Sequence, residues 1–212
     1  MLELKRVHYQ PATANKPILQ GVDLQVTSGE PILIAGSSGS GKTTLVEVIS
    51  GLTNPQKGLI CWNKSPLKAR QRRWLCGVVF QFPERYFLGL TVAQELRLGH
   101  RRLTRDEQIK ALGKVGLNDI DLREAPERLS GGQQRRLAVA VQLLRKPSIL
   151  LLDEPTAGLD WSVRNEVLNL MTNLAKEQLL IVVTHEPELF TSMLSSTYVL
   201  EEGRLRNMTT LV

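Results

Sequence analysis

Cysteine is scarce: the 212 residues hold two, Cys61 and Cys76, at a spacing that suits neither a zinc site nor a redox pair. That excludes both chemistries, and the chain reads as cytosolic and reduced. Long apolar runs are missing as well. The longest, Ile149–Leu152 and Leu179–Val183, are strand-length and far short of the ~20 residues that cross a bilayer. The N-terminus lacks an apolar stretch followed by a cleavage site. Any membrane role therefore requires a partner subunit. Internal repeats and low-complexity linkers are absent too.

What is present is ordinary globular composition, 42% apolar and 23% charged. The length suits one large domain, or a domain with an inserted subdomain. The net charge is +6, with local clusters at Lys68, Arg70, Arg72, Arg73 and at Arg101, Arg102, Arg105. No nucleic-acid module or basic–aromatic array accompanies them, so they read as a solvated basic face and no nucleic-acid partner is expected.

Periodicity predicts an α/β protein. Leu2–Tyr9 and Val22–Val26 alternate as strands, and Pro31–Ala35 is a buried run that ends at a glycine loop, with a helix expected over Lys42–Ser50. Cys76–Gln81 reads as a further core strand. Thr91–Gly99, Thr104–Val115 and Gln133–Lys146 read as helices, with Thr104 and Glu107 spaced as a capping box. Strand Ile149–Asp153, helix Ser162–Glu177 and strand Leu179–Thr184 then alternate as in a mostly parallel sheet. Strands Thr197–Glu201 and Arg204–Met208 flank a hairpin turn at Glu202-Gly203.

Between an apolar strand and a helix start lies Gly36-Ser37-Ser38-Gly39-Ser40-Gly41-Lys42-Thr43, followed by Thr44. This is the phosphate-loop pattern. Its glycines let backbone N–H groups turn inward around phosphate oxygens, and the helix end adds roughly half a positive charge. Lys42 is placed to bind β/γ-phosphates and Thr43 to offer a hydroxyl to Mg²⁺. Asp153 and Glu154 sit at the C-terminal end of a buried strand, where open α/β sheets bind ligands. Asp153 suits the Mg²⁺ shell. Glu154, expected on the opposite side of the strand, suits activation of the attacking water.

Leu129-Ser130-Gly131-Gly132-Gln133 forms a second anion-ready helix start, capped by Ser130. Together with the phosphate loop, Asp153-Glu154, Ala157-Gly158-Leu159-Asp160 and His185, in this order, it resembles the ABC ATPase family over essentially the whole chain. The resemblance implies the ABC fold: a P-loop NTPase with a RecA-like core and an antiparallel β subdomain (1–81 and 147–212) and an inserted α-helical subdomain (82–146) that carries the signature. It implies that Ser130, Gly131, Gly132 and Gln133 serve ATP held by a second ATPase subunit, and that Asp160 crosses the dimer. Tyr9 resembles the aromatic that stacks on adenine. Gln81, expected to close the strand Cys76–Gln81, resembles the glutamine that senses Mg²⁺ and the attacking water, and His185 resembles the histidine that contacts the γ-phosphate.

Phe80-Gln81-Phe82-Pro83-Glu84 and Thr91-Val92-Ala93-Gln94-Glu95-Leu96 resemble the energy-coupling-factor importer ATPases, which serve vitamin and metal-ion transporters. The expected assembly is a homo- or heterodimer on the inner face of a membrane, bound to an integral membrane subunit. Asn63-Lys64-Ser65-Pro66 lacks the aspartate that guanine recognition needs. Residues 44–129 leave no room for the long coiled coil of a DNA-repair ABC ATPase. A soluble ABC ATPase of iron–sulfur assembly is the alternative reading.

Overall fold

The computed structural model describes residues 1–27, 29, 31–100, 102–190 and 196–208, so Arg101 of the second basic cluster lies outside the described residues. The chain divides into two units, residues 1–78, 147–154 and 173–212 in one and residues 79–146 and 155–172 in the other.

The first unit holds two sheets. Strands β1 (Leu2–Tyr9), β2 (Leu19–Val26), β4 (Lys57–Trp62) and β5 (Ser65–Pro66) form an antiparallel sheet in the order β2-β1-β4-β5. Asn63 and Lys64, at φ 48° and 68°, are the two-residue turn between β4 and β5, so Asn63-Lys64-Ser65-Pro66 is hairpin chemistry. The second sheet has the order β10-β9-β3-β8-β7-β6. Its members are β3 (Ile32–Ala35), β6 (Cys76–Val79), β7 (Ile149–Asp153), β8 (Leu179–Thr184), β9 (Ser196–Glu201) and β10 (Arg204–Asn207). β3 runs parallel to β8 and β9, and β7 parallel to β8. All residues of β3, β7 and β8 are buried, as uninterrupted apolar runs in a parallel sheet should be.

Helix α1 (Lys42–Ser50) buries Leu45, Val46, Val48 and Ile49 and packs on β7 and β8. α2 (Ala69–Leu75) lies against α1. Here the basic-face reading needs correction: Arg72 is buried and donates to the Thr53 carbonyl and to Asn54 Oδ1, both at 3.1 Å. Arg73 donates to the Gly51 carbonyl at 2.9 Å. Both arginines hold the chain leaving the C-terminal end of α1, where the helix leaves carbonyls without intrahelical partners and favours cations. Cys61 and Cys76 are buried and form no disulfide, and Cys76 Sγ donates to the Ile49 carbonyl at 3.9 Å.

The second unit carries α3 (Val92–Arg97), α4 (Arg105–Lys114) and α5 (Gly131–Leu144). Each begins at the cap its sequence offers: Thr91 accepts from Gln94 N, Thr104 from Glu107 N, Ser130 from Gln133 N. Thr104 and Glu107 complete their capping box, and this bonding holds the Glu107 carboxyl below its usual pKa. Helix α6 (Trp161–Glu177) begins in this unit. Among the described residues no helix is long and apolar enough to cross a membrane.

Candidate functional site

The phosphate loop links β3 to α1. Gly41 takes φ 100° at the N-cap, a left-handed conformation that side-chain-bearing residues avoid, and it has no side chain to cap the helix, so the first N–H groups of α1 face the loop. Lys42, 6% exposed, curls back so that Nζ donates to the Gly36 carbonyl at 2.7 Å and the Ser37 carbonyl at 3.1 Å. Nζ also lies 3.5 Å from Glu154 Oε1. Ser38 and Gly39 are exposed and Thr44 is half-buried.

Next to Lys42, Thr43 Oγ1 donates to Asp153 Oδ2 at 2.6 Å. Asp153 is 2% exposed, and its Oδ1 has no hydrogen-bond partner among the described residues. Burial pushes the Asp153 carboxyl up from its usual range; the Thr43 hydrogen bond opposes this, Glu154 adds to it, and Lys42 opposes it. A buried carboxylate oxygen without a partner, beside a hydroxyl, is an all-oxygen donor set that fits a hard divalent cation. Among the described residues no group of three His, Cys, Asp or Glu could hold a metal ion.

Glu154 follows β7 at φ 49°. The strand alternation expected to set it opposite Asp153 therefore stops before it. Its N–H donates to the Val183 carbonyl at 2.9 Å, and its buried carboxylate is held by several donors. Oε2 accepts from Thr184 Oγ1 at 2.9 Å and from His185 N at 3.3 Å, and lies 2.8 Å from His185 Nδ1. The His185 side chain is 48% exposed. Lys42, Thr43, Asp153, Glu154 and His185 thus converge at the C-terminal ends of β3, β7 and β8. Thr184, fully buried, is a member that the apolar run Leu179–Val183 concealed; a hydroxyl ending such a run was its only signal.

A cavity of about 600 Å³ adjoins the loop, lined by Ser37–Ser40 on one side and by Lys16, Pro17, Ile18, Gln20 and Glu201–Gly203 on the other. Tyr9 does not line it. Its hydroxyl accepts from Thr53 Oγ1 at 3.2 Å, and only its carbonyl reaches the cavity wall, accepting from Ile18 N at 2.8 Å. The reason is register: Tyr9 pairs with Leu19 as the last residue of β1, so the wall falls to the segment just before β2.

The remaining candidates belong to the second unit. Gln81 is exposed and lies two residues beyond β6, which ends at Val79. The strand cannot reach it, because Pro83 opens a 3-10 turn and Phe82 before it takes φ 54°. Ser130 and Gln133 cap each other, with Gln133 N to Ser130 Oγ at 3.3 Å and Ser130 N to Gln133 Oε1 at 2.8 Å. Gly131 is exposed and Gly132 buried. A Cβ on Gly132 would collide with Val163 Cγ1. Asp160 is exposed just before α6, and its carbonyl accepts from Arg164 N at 2.9 Å.

The parallel sheet with a glycine loop between β3 and α1 defines a P-loop nucleotide-binding fold. Residues 19–157 match the ABC transporter family. ABC transporter I family member 11, chloroplastic, of Arabidopsis thaliana is 37% identical over 218 residues, covering 95% of this chain and 78% of that protein. The energy-coupling factor transporter ATP-binding protein EcfA2 of Acetivibrio thermocellus is 36% identical over 213 residues, covering 95% and 76%. Among solved structures, cbiO1 of Clostridium perfringens, part of the ABC transporter complex cbiONQ, superimposes with TM-score 0.86 at 29% identity, covering 97% of this chain and 86% of that one. The dimeric ATP-binding cassette MJ0796, in a post-hydrolysis state with ADP and Pi, gives TM-score 0.82 at 27% identity, covering 98% and 97%. The chain belongs to the ABC transporter family, as its ATP-binding subunit, and is an ATPase.

Proposed function

We propose that this chain works as one of two ATPase subunits in an energy-coupling-factor type transporter, hydrolysing ATP with Glu154 as general base and passing subunit closure to a separate membrane subunit. The observation that carries this reading is the Glu154 carboxylate, fixed by Thr184 and His185 on one oxygen and facing Lys42 with the other. EcfA2 proteins of several bacteria, 34–36% identical, support the transporter type.

Lys42 exchanges the carbonyls of Gly36 and Ser37 for β/γ-phosphate oxygens, since charged acceptors bind an ammonium more strongly than neutral ones. Thr43 and Asp153 would hold Mg²⁺, which when bound neutralises charge on the phosphate oxygens. With Oε2 held by Thr184 and His185, Glu154 Oε1 takes a proton from water as the water oxygen bonds to the γ-phosphorus. The bond from phosphorus to the ADP oxygen breaks, and its electron pair leaves with ADP. His185 presents its other ring nitrogen to the γ-phosphate. Ser130 to Gln133 complete the site of a second subunit, and Asp160 links the two subunits, so the partner is a second ATPase chain, with the pair held at the inner face of a membrane through the membrane subunit.

Glu154→Gln keeps the shape and removes the base. It should bind ATP with unchanged affinity, accumulate as a dimer in ATP on size-exclusion chromatography, and lose steady-state hydrolysis. Hydrolysis at the wild-type rate would overturn the assignment. Co-purification with a polytopic membrane protein is expected, and recovery with a soluble scaffold complex alone would refute the transporter role.

A further inference from the structure

Arg135 lies on α5, beyond the capped turn, and is 5% exposed. Its fork reaches one short stretch of backbone: Nη1 donates to the Pro155 carbonyl at 2.9 Å and Nη2 to the Ala157 carbonyl at 2.7 Å. The guanidinium carbon also stands 5.8 Å from the centroid of the Phe82 ring, with Arg85 at 4.9 Å from the same ring. Burial pulls Arg135 below the usual guanidinium pKa while the charge of Glu84 acts against that.

A buried guanidinium is costly, and an apolar side chain of similar volume would fill the same space without desolvation. What it supplies beyond filling is direction. Two parallel N–H bonds fix the carbonyls on either side of Thr156, a geometry that a single ammonium cannot reproduce. The residues so held are consequential by chain connectivity. Pro155 directly follows Glu154, whose left-handed backbone is a strained conformation that neighbours must maintain. Phe82 directly follows Gln81 and is itself left-handed at φ 54°.

We infer that Arg135 is a positioning residue for hydrolysis: from α5 it fixes the backbone that follows Glu154 in the chain and the ring that follows Gln81. This rests on Glu154 acting as the base. Its loss should lower kcat and leave ATP binding intact.

The test compares Arg135→Met, which keeps the volume, and Arg135→Lys, which keeps the charge without the fork, in the ATPase purified with its co-purifying subunits. Both should lower kcat by about 10- to 100-fold, the range for small misplacements of reacting groups, with KM for ATP and fluorescent-nucleotide affinity within about twofold. Wild-type kcat in either variant overturns the inference, as does an equal loss in nucleotide affinity. If both fail to melt cooperatively, Phe82→Leu decides: lowered kcat at unchanged ATP affinity supports the inference, and wild-type kcat overturns it. Glu154→Gln in the same assay separates the two readings. Wild-type hydrolysis there defeats the base assignment itself, whereas an inactive Glu154→Gln beside fully active Arg135 variants defeats only the role of Arg135.

Discussion

The resemblance to the ABC signature leads one to expect Gly132 at phosphate, yet its surroundings demand glycine for a different reason. A Cβ there would drive into Val163 Cγ1, whereas Val163 Cβ would stand at 3.5 Å, ordinary contact distance. Gly132→Ala should therefore overpack the contact between α5 and α6 and cost about 1–3 kcal/mol. For a chain of this size that lowers the melting temperature by roughly 2–12 °C. Val163→Ala alone should cost about 1 kcal/mol, because its side chain is only half-buried. In the double variant the clashing methyl is gone and the remaining approach is the 3.5 Å one, so the double should be more stable than the sum of the singles by roughly 1–2 kcal/mol. Urea unfolding of the four proteins measures this coupling. Additive losses, or a Gly132→Ala melt within a degree of wild type, would refute the packing argument. If stability returns in the double variant while ATPase activity does not, the bare backbone is required by phosphate as well.

Lys42→Ala removes a charge-assisted bond of about 1.5–3 kcal/mol and should weaken ATP binding about tenfold or more by isothermal titration; unchanged affinity contradicts its role. Tyr9→Leu should leave ATP affinity within about twofold, because the Tyr9 hydroxyl is bonded to Thr53 and Tyr9 does not line the cavity; a loss near that of Lys42→Ala would support the stacking role instead. Glu107, its pKa depressed by the Thr104 hydrogen bonds, stabilises the fold in its ionised form. That contribution is present above the ordinary carboxylate range and lost as pH falls through the depressed value. Wild type should thus melt above Glu107→Gln at neutral pH and lose the advantage in acid, and a difference that does not change with pH would dismiss the linkage.

Where a segment's burial coincides with apolar periodicity, the sequence was readable to the residue: Leu2–Tyr9, Lys42–Ser50, Ile149–Asp153 and Leu179–Thr184 stand at their expected bounds. The segment 57–75 was opaque for the converse reason. β5 is two residues long, β4 buries only its second half, and α2 turns an arginine inward, so none shows a hydrophobic period. At the site, identities of residues were legible and their backbone states were not. Nothing in Glu154 or Phe82 announces φ > 0, because that conformation is imposed by neighbours distant in sequence. Thr184 was hidden by the apolar company it keeps, and Arg135 by a helix whose remaining pattern is unremarkable.

The cavity beside the phosphate loop is closed by a clasp between chain segments far apart in synthesis. Gln20 N donates to the Gly203 carbonyl at 2.7 Å and Gln20 Nε2 to the Glu202 carbonyl at 3.0 Å, a bond spanning 182 positions. Every family motif is made before residue 186, but the pocket acquires its far wall only when the β9–β10 hairpin arrives. A ribosome-bound chain lacking that hairpin would hold a complete phosphate loop and half of this cavity. Tight nucleotide binding should thus begin only after the last strands have paired, which makes ATP a reporter of finished folding.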